Sequence, residues 1–202
     1  AQVLFNDLYK DIIKTYDFAP DFNQIYKNNL KTCIETGVTS KRLDKQLLDF
    51  DFDVLAQALS PERDQLFAYM GAQTLYDRYF LKNHDQEILE LPQYFWMRIA
   101  MGFALNEPVE DRTKRALEFY ETMSQLLYVP STPSLFHSGT THPQMSSCFL
   151  TTVEDDLTHI FKSIGDNAQL SKWSGGVAND WSNIRGTGSL IKSTNVMSQG
   201  VI

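Results

Sequence analysis

Hydrophobic residues recur at helical spacing through the first 128 residues of the chain. Apolar positions three and four residues apart favour amphipathic helices, each with one face turned towards a core. Gly37 marks one expected helix end, and Ser60-Pro61-Glu62 combines a capping hydroxyl with a proline in the first turn. The sequence therefore predicts five helices, over residues 3–15, 21–35, 60–81, 93–105 and 108–128.

The pattern changes after residue 128. Pro130 and Pro133 lie too close together for a helix interior, so they predict an extended segment. Residues 144–153 read as a strand, residues 157–173 return to helical spacing, and residues 177–184 again read as a strand. A strand, a helix, a glycine turn and a strand in this order indicate an α/β unit. We therefore expect a mainly helical domain over residues 1–128 and an α/β domain over residues 129–202.

The two cysteines have different surroundings in the sequence. Cys148 follows two serines on a strand that we expect to be buried, which is an unusual position for a thiol. Cys33 lies on the apolar face of the predicted helix 21–35, with no cationic or metal-binding residues clustered beside it. We therefore interpret Cys33 as a buried, inert thiol.

Composition and charge narrow the class of protein. A chain of 202 residues with 43% hydrophobic residues is large enough for one large or two small domains with a sizeable core. A net charge of −7 argues against a nucleic-acid-binding surface, although a phosphorylated small molecule needs only one or two Lys or Arg. Two cysteines favour a reducing, cytoplasmic setting, and no segment resembles a signal peptide or a membrane span. Since the chain starts without Met and ends in Gly200-Val201-Ile202, we expect it to be a piece of a longer protein.

Four motifs follow one another in the second region. They are Val129-Pro130-Ser131-Thr132-Pro133-Ser134-Leu135, Met145-Ser146-Ser147-Cys148-Phe149-Leu150, Lys172-Trp173-Ser174-Gly175-Gly176 and Ile184-Arg185-Gly186-Thr187-Gly188-Ser189-Leu190-Ile191-Lys192. In this order and at this spacing they resemble the large, catalytic subunit of ribonucleotide reductase. Asn179-Asp180-Trp181 and Thr194-Asn195 resemble the class I form in particular. Residues 1–128 are similar to the helical N-terminal domain of that family in character.

The resemblance implies a fold and a reaction. The implied fold is α/β: a mainly helical N-terminal domain, then the first strands and helix of a ten-stranded α/β barrel that this chain leaves incomplete. The implied reaction converts ribonucleoside diphosphates to deoxyribonucleotides by thiyl-radical chemistry. Because two or three strands cannot close such a barrel and open edges invite pairing, we expect the chain to need the remainder of the large subunit. That remainder would be a second fragment or a missing C-terminal part, and the chain alone is expected to be inactive.

The resemblance also implies a substrate site. Cys148 falls on one member of the redox-active dithiol, whose partner cysteine and radical cysteine belong to later segments of the family's barrel. Thr132, Ser147 and Gly176 fall, together with Cys148, on substrate-contacting positions. A glycine suits a position where the backbone approaches the substrate closely, since it carries no Cβ.

A second implied site binds nucleotide effectors. Asp155 falls on the position that holds the effector sugar, and Arg185 and Lys192 fall on cationic positions near the effector phosphates. Asp155 is also suited, like Asp156, to cap the helix 157–173, because a carboxylate accepts hydrogen bonds from free amides there. The same helix is implied to form the contact of a homodimer.

The implied cofactors and partners lie outside the chain. No cofactor is expected to bind in this chain; a metal-containing small subunit would supply the radical, and deoxynucleoside triphosphates and ATP would act as effectors. Thioredoxin or glutaredoxin would restore the dithiol. No metal site is expected, since His137, His142 and His159 lack a ligand spacing. Neither a membrane nor a nucleic-acid partner is expected.

The two cysteine roles that this chain lacks, and two altered glycines of the class I pattern, leave an alternative open. Ala178 and Val196 replace glycines that are usual there, which bears on loop conformation and on effector reading. A non-catalytic nucleotide-binding or regulatory module derived from the family is therefore the second hypothesis. A third is the adenosylcobalamin-dependent class, which shares the Ser-Ser-Cys region.

Overall fold

The computed structural model describes residues 1–201 and divides the chain into two compact units, Ala1–Met145 and the residues from Ser146 onward. The division lies later in the chain than the expected boundary at residues 128 and 129. Its physical reason is that the segment after residue 130 packs on the helical unit, where the buried Arg98 guanidinium donates to the carbonyls of Leu135 and Ser138. Ile202, the last residue of the apolar C-terminal run, lies outside the described residues.

The first unit is helical. Its helices are α1 (Gln2–Ile13), α2 (Phe22–Asn28), α3 (Leu30–Thr39), α4 (Phe52–Ala58), α5 (Tyr69–Thr74), α6 (Pro92–Ala104), α7 (Arg112–Ser124) and α8 (Thr132–His137). Two 3₁₀ turns, Lys45–Asp49 and Pro61–Leu66, and one π-helical turn, Leu75–Tyr79, connect them. Helix α6 is apolar almost all round and is buried on nearly every face, as its composition predicts, so it forms the centre of the core.

Two predicted helices are interrupted. The helix expected over residues 60–81 breaks at Phe67, which is extended and places its ring against Phe5 and Trp96. Tertiary packing overrides helix propensity here. The helix expected over residues 21–35 is divided at Asn29 and continues past Gly37, the expected stop. Gly37 instead allows a close approach, since a Cβ there would lie 2.5 Å from Leu43 Cδ1.

The extended segment predicted from the two prolines is wrong in part. Ser131 is extended, but Thr132–His137 forms the short helix α8 with Pro133 in its first turn. Proline is excluded from a helix interior because its ring replaces the N–H donor. The amides of a first turn have no partner within the helix, so proline is compatible with that position.

The second unit contains the predicted strand–helix–strand sequence. Strand β1 (Cys148–Thr152), helix α9 (Leu157–Lys172) and strand β2 (Gly176–Asp180) follow one another, and β1 pairs with β2 in parallel. A short antiparallel pair, β3 (Leu190–Ile191) and β4 (Val196–Met197), ends the unit. Within residues 146–201 these strands form two separate two-stranded sheets and close no barrel.

The expectation that β1 is buried is wrong for the described chain. Its side chains alternate between exposed and half-buried, with Cys148 and Leu150 exposed. One face packs towards the turn after α9, where the Phe149 ring lies beside Gly175, and nothing in residues 146–201 covers the other face. None of the helices in those residues is long and apolar enough to cross a membrane.

Candidate substrate and effector sites

The redox cysteine candidate lies at the first position of β1. Cys148 is exposed, and the strand register places Gly176, the first residue of β2, directly opposite it. The Gly176 amide donates to the Ser147 carbonyl at 2.8 Å, and the Ser147 hydroxyl lies 3.7 Å from the Cys148 sulfur. Three of the four predicted substrate residues therefore meet at one corner, where the adjacent starts of two parallel strands expose a thiol.

The geometry of the turn before β2 explains why glycines occupy positions 175 and 176. Helix α9 ends at Lys172, and the Gly175 amide donates to the Leu170 carbonyl at 3.0 Å. The left-handed residue at the helix end is Ser174, with φ of 63°, although a glycine is commoner in that role. A Cβ on Gly176 would lie 3.1 Å from the Ser147 carbonyl oxygen, so the close approach of the two strand starts favours glycine there.

Thr132, the fourth predicted substrate residue, belongs to the helical unit. It is the first residue of α8 and is exposed. Its hydroxyl lies 3.1 Å from the Tyr79 hydroxyl, a contact between positions 53 residues apart in sequence. No periodicity or motif in the sequence indicates that Tyr79 contacts Thr132.

The three predicted effector residues line one cavity of the second unit. The Arg185 Nε donates to Asp155 Oδ2 at 2.7 Å, and each of the two side chains is about a third exposed. A cavity of about 410 Å³ is lined by these two residues, Lys192, Ser189, Leu190 and Ser193. Two cations and two hydroxyls can donate to an anionic group of a ligand, and one carboxylate can accept from its hydroxyls. Ser189 lies within the motif that ends at Lys192, and Ser193 follows it directly. Neither serine was predicted to be a site residue.

Asp155 and Asp156, just before α9, bind different partners. The Asp156 carboxylate accepts from the His159 amide at 2.9 Å and is the N-cap of the helix. Asp155 takes no part in this cap and turns to Arg185. The choice between Asp155 and Asp156 that the sequence left open is thus settled by geometry.

Helix α9 exposes an apolar face. Leu157, Phe161 and Ile164 are 69%, 65% and 49% exposed. Their spacing of four and three residues places them on one side of the helix. These exposed residues lie on the helix that the resemblance implies for the homodimer contact.

Cys33 is buried, as predicted. Its thiol donates to the Leu89 carbonyl at 3.0 Å, and burial raises its pKa well above the usual range. A thiol in that environment is a poor nucleophile. Among residues 1–201, no group of three or more His, Cys, Asp or Glu side chains is arranged to hold a metal ion.

Two buried polar clusters of the helical unit have no counterpart among the predictions from the sequence. Glu90 and Arg98 form an ion pair with Nε–Oε1 at 2.6 Å, and the side chains are 1% exposed. Asp64 accepts from Gln93, Tyr9 and Tyr26 at 2.7–3.1 Å. The sequence did contain one sign of these clusters. Gln93 and Arg98 lie in a helix that is otherwise apolar all round, which indicates that both side chains are buried and need polar partners.

Comparisons with known proteins agree with this division into two units. Residues 65–143 match the family model described as ribonucleotide reductase, all-alpha domain, and residues 146–202 match the one described as ribonucleotide reductase, barrel domain. The first match lies in the helical unit, and the second coincides with the second unit.

Curated relatives carry the same family name. The whole chain is 49% identical to a ribonucleoside-diphosphate reductase subunit alpha of Chlamydia pneumoniae, of which it covers 19%. Over 175 residues, 86% of the chain, it is 40% identical to the subunit alpha of Helicobacter pylori, covering 22% of that protein. Over 189 residues, 89% of the chain, it is 35% identical to a ribonucleoside-diphosphate reductase large subunit of Caenorhabditis elegans, covering 23%. The chain thus spans about a fifth of the length of these relatives.

Proposed function

The chain belongs to the family of ribonucleotide reductase large subunits, with an all-alpha region followed by the start of the barrel domain, and on that premise we propose that it serves ribonucleoside-diphosphate reduction. The proposed product is the deoxyribonucleotide, and the proposed chemistry is that of class I enzymes, with a thiyl radical. The observation that carries the proposal is the corner formed by Ser147, Cys148 and Gly176.

Cys148 is proposed as one thiol of the reducing pair. Replacing the 2′ hydroxyl of a ribose by hydrogen consumes two electrons and two protons and releases one water. Two thiols supply both electrons and both protons when they become a disulfide. The exposure of Cys148 at a strand start supports this role, because a thiol there is accessible to a substrate and to a second cysteine.

The residues around this thiol are proposed to contact the substrate. Ser147 offers a hydroxyl beside the sulfur, and Gly176 offers backbone that a ligand can approach closely. Thr132 is proposed to add a second hydroxyl from the helical unit. The exposure of all three residues supports these assignments.

The cavity of the second unit is proposed to bind nucleotide effectors. Asp155 would hold the effector sugar, and Arg185 and Lys192 the phosphates, of deoxynucleoside triphosphates or ATP. The ion pair between Asp155 and Arg185 supports a site that is organised before the ligand arrives. The exposed face of α9 supports the proposed homodimer contact beside it.

The proposed partners follow from the family and from what the chain leaves exposed. The remainder of the large subunit would cover β1 and β2 and supply the second thiol. A small subunit holding a metal would supply the radical, and thioredoxin or glutaredoxin would reduce the disulfide in the cytoplasm. No metal or other cofactor is proposed for the chain itself.

Replacing Cys148 by Ser tests the proposal in the complete large subunit combined with its small subunit. We expect C148S to lose multiple-turnover deoxynucleotide formation, measured with thioredoxin as reductant, because serine cannot form the disulfide. Circular dichroism and ribonucleotide binding should remain as in the wild type. Undiminished turnover of C148S would remove Cys148 from the mechanism.

A non-catalytic nucleotide-binding module is the second candidate function. The observation that favours it is the effector cavity, whose lining residues all lie within residues 155–193. The same preparations distinguish the two functions. Deoxynucleoside triphosphate binding without any deoxynucleotide formation by the wild-type complex would favour the module.

A further inference from the structure

Tyr79 ends a π-helical turn that comes directly after α5. The Phe80 amide donates to the Leu75 carbonyl at 3.0 Å, five residues back rather than four. The extra residue in the turn rotates the next segment of the chain relative to a continued α-helix. Single π turns of this kind are frequent at functional sites, which makes the position of the Tyr79 side chain informative.

The Tyr79 side chain makes two contacts with one face of α8. Its hydroxyl lies 3.1 Å from Thr132 Oγ1. Its ring stacks on Phe136, with centroids 4.6 Å apart and planes at 17°. Thr132 and Phe136 are four residues apart and therefore share that face. Stacking fixes the ring, and the fixed ring directs the hydroxyl at Thr132.

The backbone of α8 is held by other residues. Arg98 donates to the carbonyls of Leu135 and Ser138, at 3.3 and 2.7 Å, and is itself held by Glu90. The Ser134 hydroxyl donates to the Met145 carbonyl at 3.3 Å. The Tyr79 hydroxyl, in contrast, contacts a side-chain hydroxyl that is exposed. Removal of the Tyr79 hydroxyl should therefore leave α8 in place and release the Thr132 hydroxyl.

We propose that Tyr79 is a positioning residue that orients the Thr132 hydroxyl towards the substrate; the inference rests on the proposed function of Thr132. In the proposed contact Thr132 donates to an oxygen of the ribonucleotide that only accepts hydrogen bonds, as a phosphate oxygen does. A threonine hydroxyl has one hydrogen, so Tyr79 must then be the donor to Thr132. The Tyr79 hydroxyl thereby directs the one hydrogen of Thr132 away from itself and towards the ligand.

Tyr79→Phe in the complete large subunit, assembled with its small subunit, tests this inference. The variant keeps the ring stacked on Phe136 and loses one hydroxyl. We expect KM for the ribonucleoside diphosphate to rise about threefold to tenfold, the range for one hydrogen bond, with kcat within about twofold. Tyr69→Phe is the matched control, because its hydroxyl bonds Gln73 within α5 and should leave KM unchanged.

A double-mutant cycle with Thr132→Val separates positioning from a structural role. T132V alone should raise KM, and adding Y79F to it should raise KM no further, since no hydroxyl remains to orient. Thr132→Ser should restore both the low KM and the sensitivity to Y79F. Melting temperatures of Y79F and Y69F should agree.

Each contrary result has its own meaning. An unchanged KM in Y79F, or an equal rise with and without T132V, would overturn the role of Tyr79 while Thr132 stays a substrate residue. An unchanged KM in T132V would overturn the substrate role of Thr132 and the inference with it. A fall in melting temperature specific to Y79F, together with a lower kcat, would make Tyr79 structural.

Discussion

In the helical unit a connected apolar core surrounds α6, where Trp96, Tyr94 and Phe95 are fully buried, and side chains such as Phe18, Met70 and Leu127 are exposed outside that core. In the second unit Leu150, Leu157 and Phe161 are exposed, and Val153 is the one apolar side chain of residues 146–201 that is buried. The connected apolar core lies entirely in the first unit. Exposed apolar patches mark interaction surfaces, so the helical unit encloses its own core and the second unit offers surfaces for further protein.

The polar groups differ between the units in the same way. The helical unit buries an ion pair, Glu90 with Arg98, and a carboxylate, Asp64, each with several hydrogen bonds. In the second unit one ion pair, Asp155 with Arg185, lines the effector cavity. Buried polar groups that are fully hydrogen-bonded specify a packed arrangement, whereas accessible ones are available for binding.

The largest expected effect is from breaking the buried ion pair. Glu90→Gln leaves the Arg98 charge buried without a partner charge, so we expect the unfolding free energy to fall by about 3–5 kcal/mol. Urea denaturation followed by circular dichroism measures it. The matched control is Glu121→Gln, which breaks the partly exposed pair of Glu121 with Arg63 and should cost at most about 1 kcal/mol. Equal losses of unfolding free energy in the two variants would contradict the difference between the buried and the partly exposed ion pair.

A pH effect of similar or smaller size is expected from Asp64. Burial raises its pKa to about 7, against the opposing hydrogen bonds from Gln93, Tyr9 and Tyr26. The folded state therefore holds a proton that the unfolded state releases near pH 4, and stability should fall as the pH rises from about 4 to about 7. The shift of roughly three units corresponds to at most about 4 kcal/mol.

Asp64→Asn isolates this contribution. The amide has the shape of the protonated acid and does not titrate, so the stability of D64N relative to the wild type should increase between pH 4 and pH 7. Melting temperatures at half-unit pH steps measure the difference. A constant difference across that interval would show that Asp64 does not change its protonation there.

Much of the fold could be predicted from periodicity, because burial and spacing agree within single elements. The predicted helix 157–173 corresponds to Leu157–Lys172, and the helix 93–105 to Pro92–Ala104. The break at Phe67 could not be predicted, because its cause is the packing of that ring between Phe5 and Trp96. Contacts between distant positions leave no local pattern.

In the candidate site, too, features within a motif could be predicted and contacts between distant elements could not. Ser147 and Cys148 are neighbours in a motif, and parallel pairing of two predicted strands brings Gly176 to them. The hydrogen bond between Tyr79 and Thr132 joins two elements with no common motif, so only the fold displays it. The assignment of Asp156 to the helix cap and of Asp155 to Arg185 depends on side-chain direction, which two adjacent aspartates in a sequence do not reveal.

The smallest expected effect is that of truncating Leu150, and a buried leucine of the helical unit is its matched control. Leu55 in α4 is 0% exposed and Leu150 in β1 is 86% exposed. Leu55→Ala should cost about 2–5 kcal/mol, because it removes buried contacts and leaves a cavity. Leu150→Ala should change the unfolding free energy of the chain by less than about 0.5 kcal/mol, since its side chain loses little on truncation. Urea denaturation of both variants measures the pair. A loss at Leu150 comparable to that at Leu55 would mean that the second unit encloses this face of β1 by itself, and that no further protein is needed to cover it.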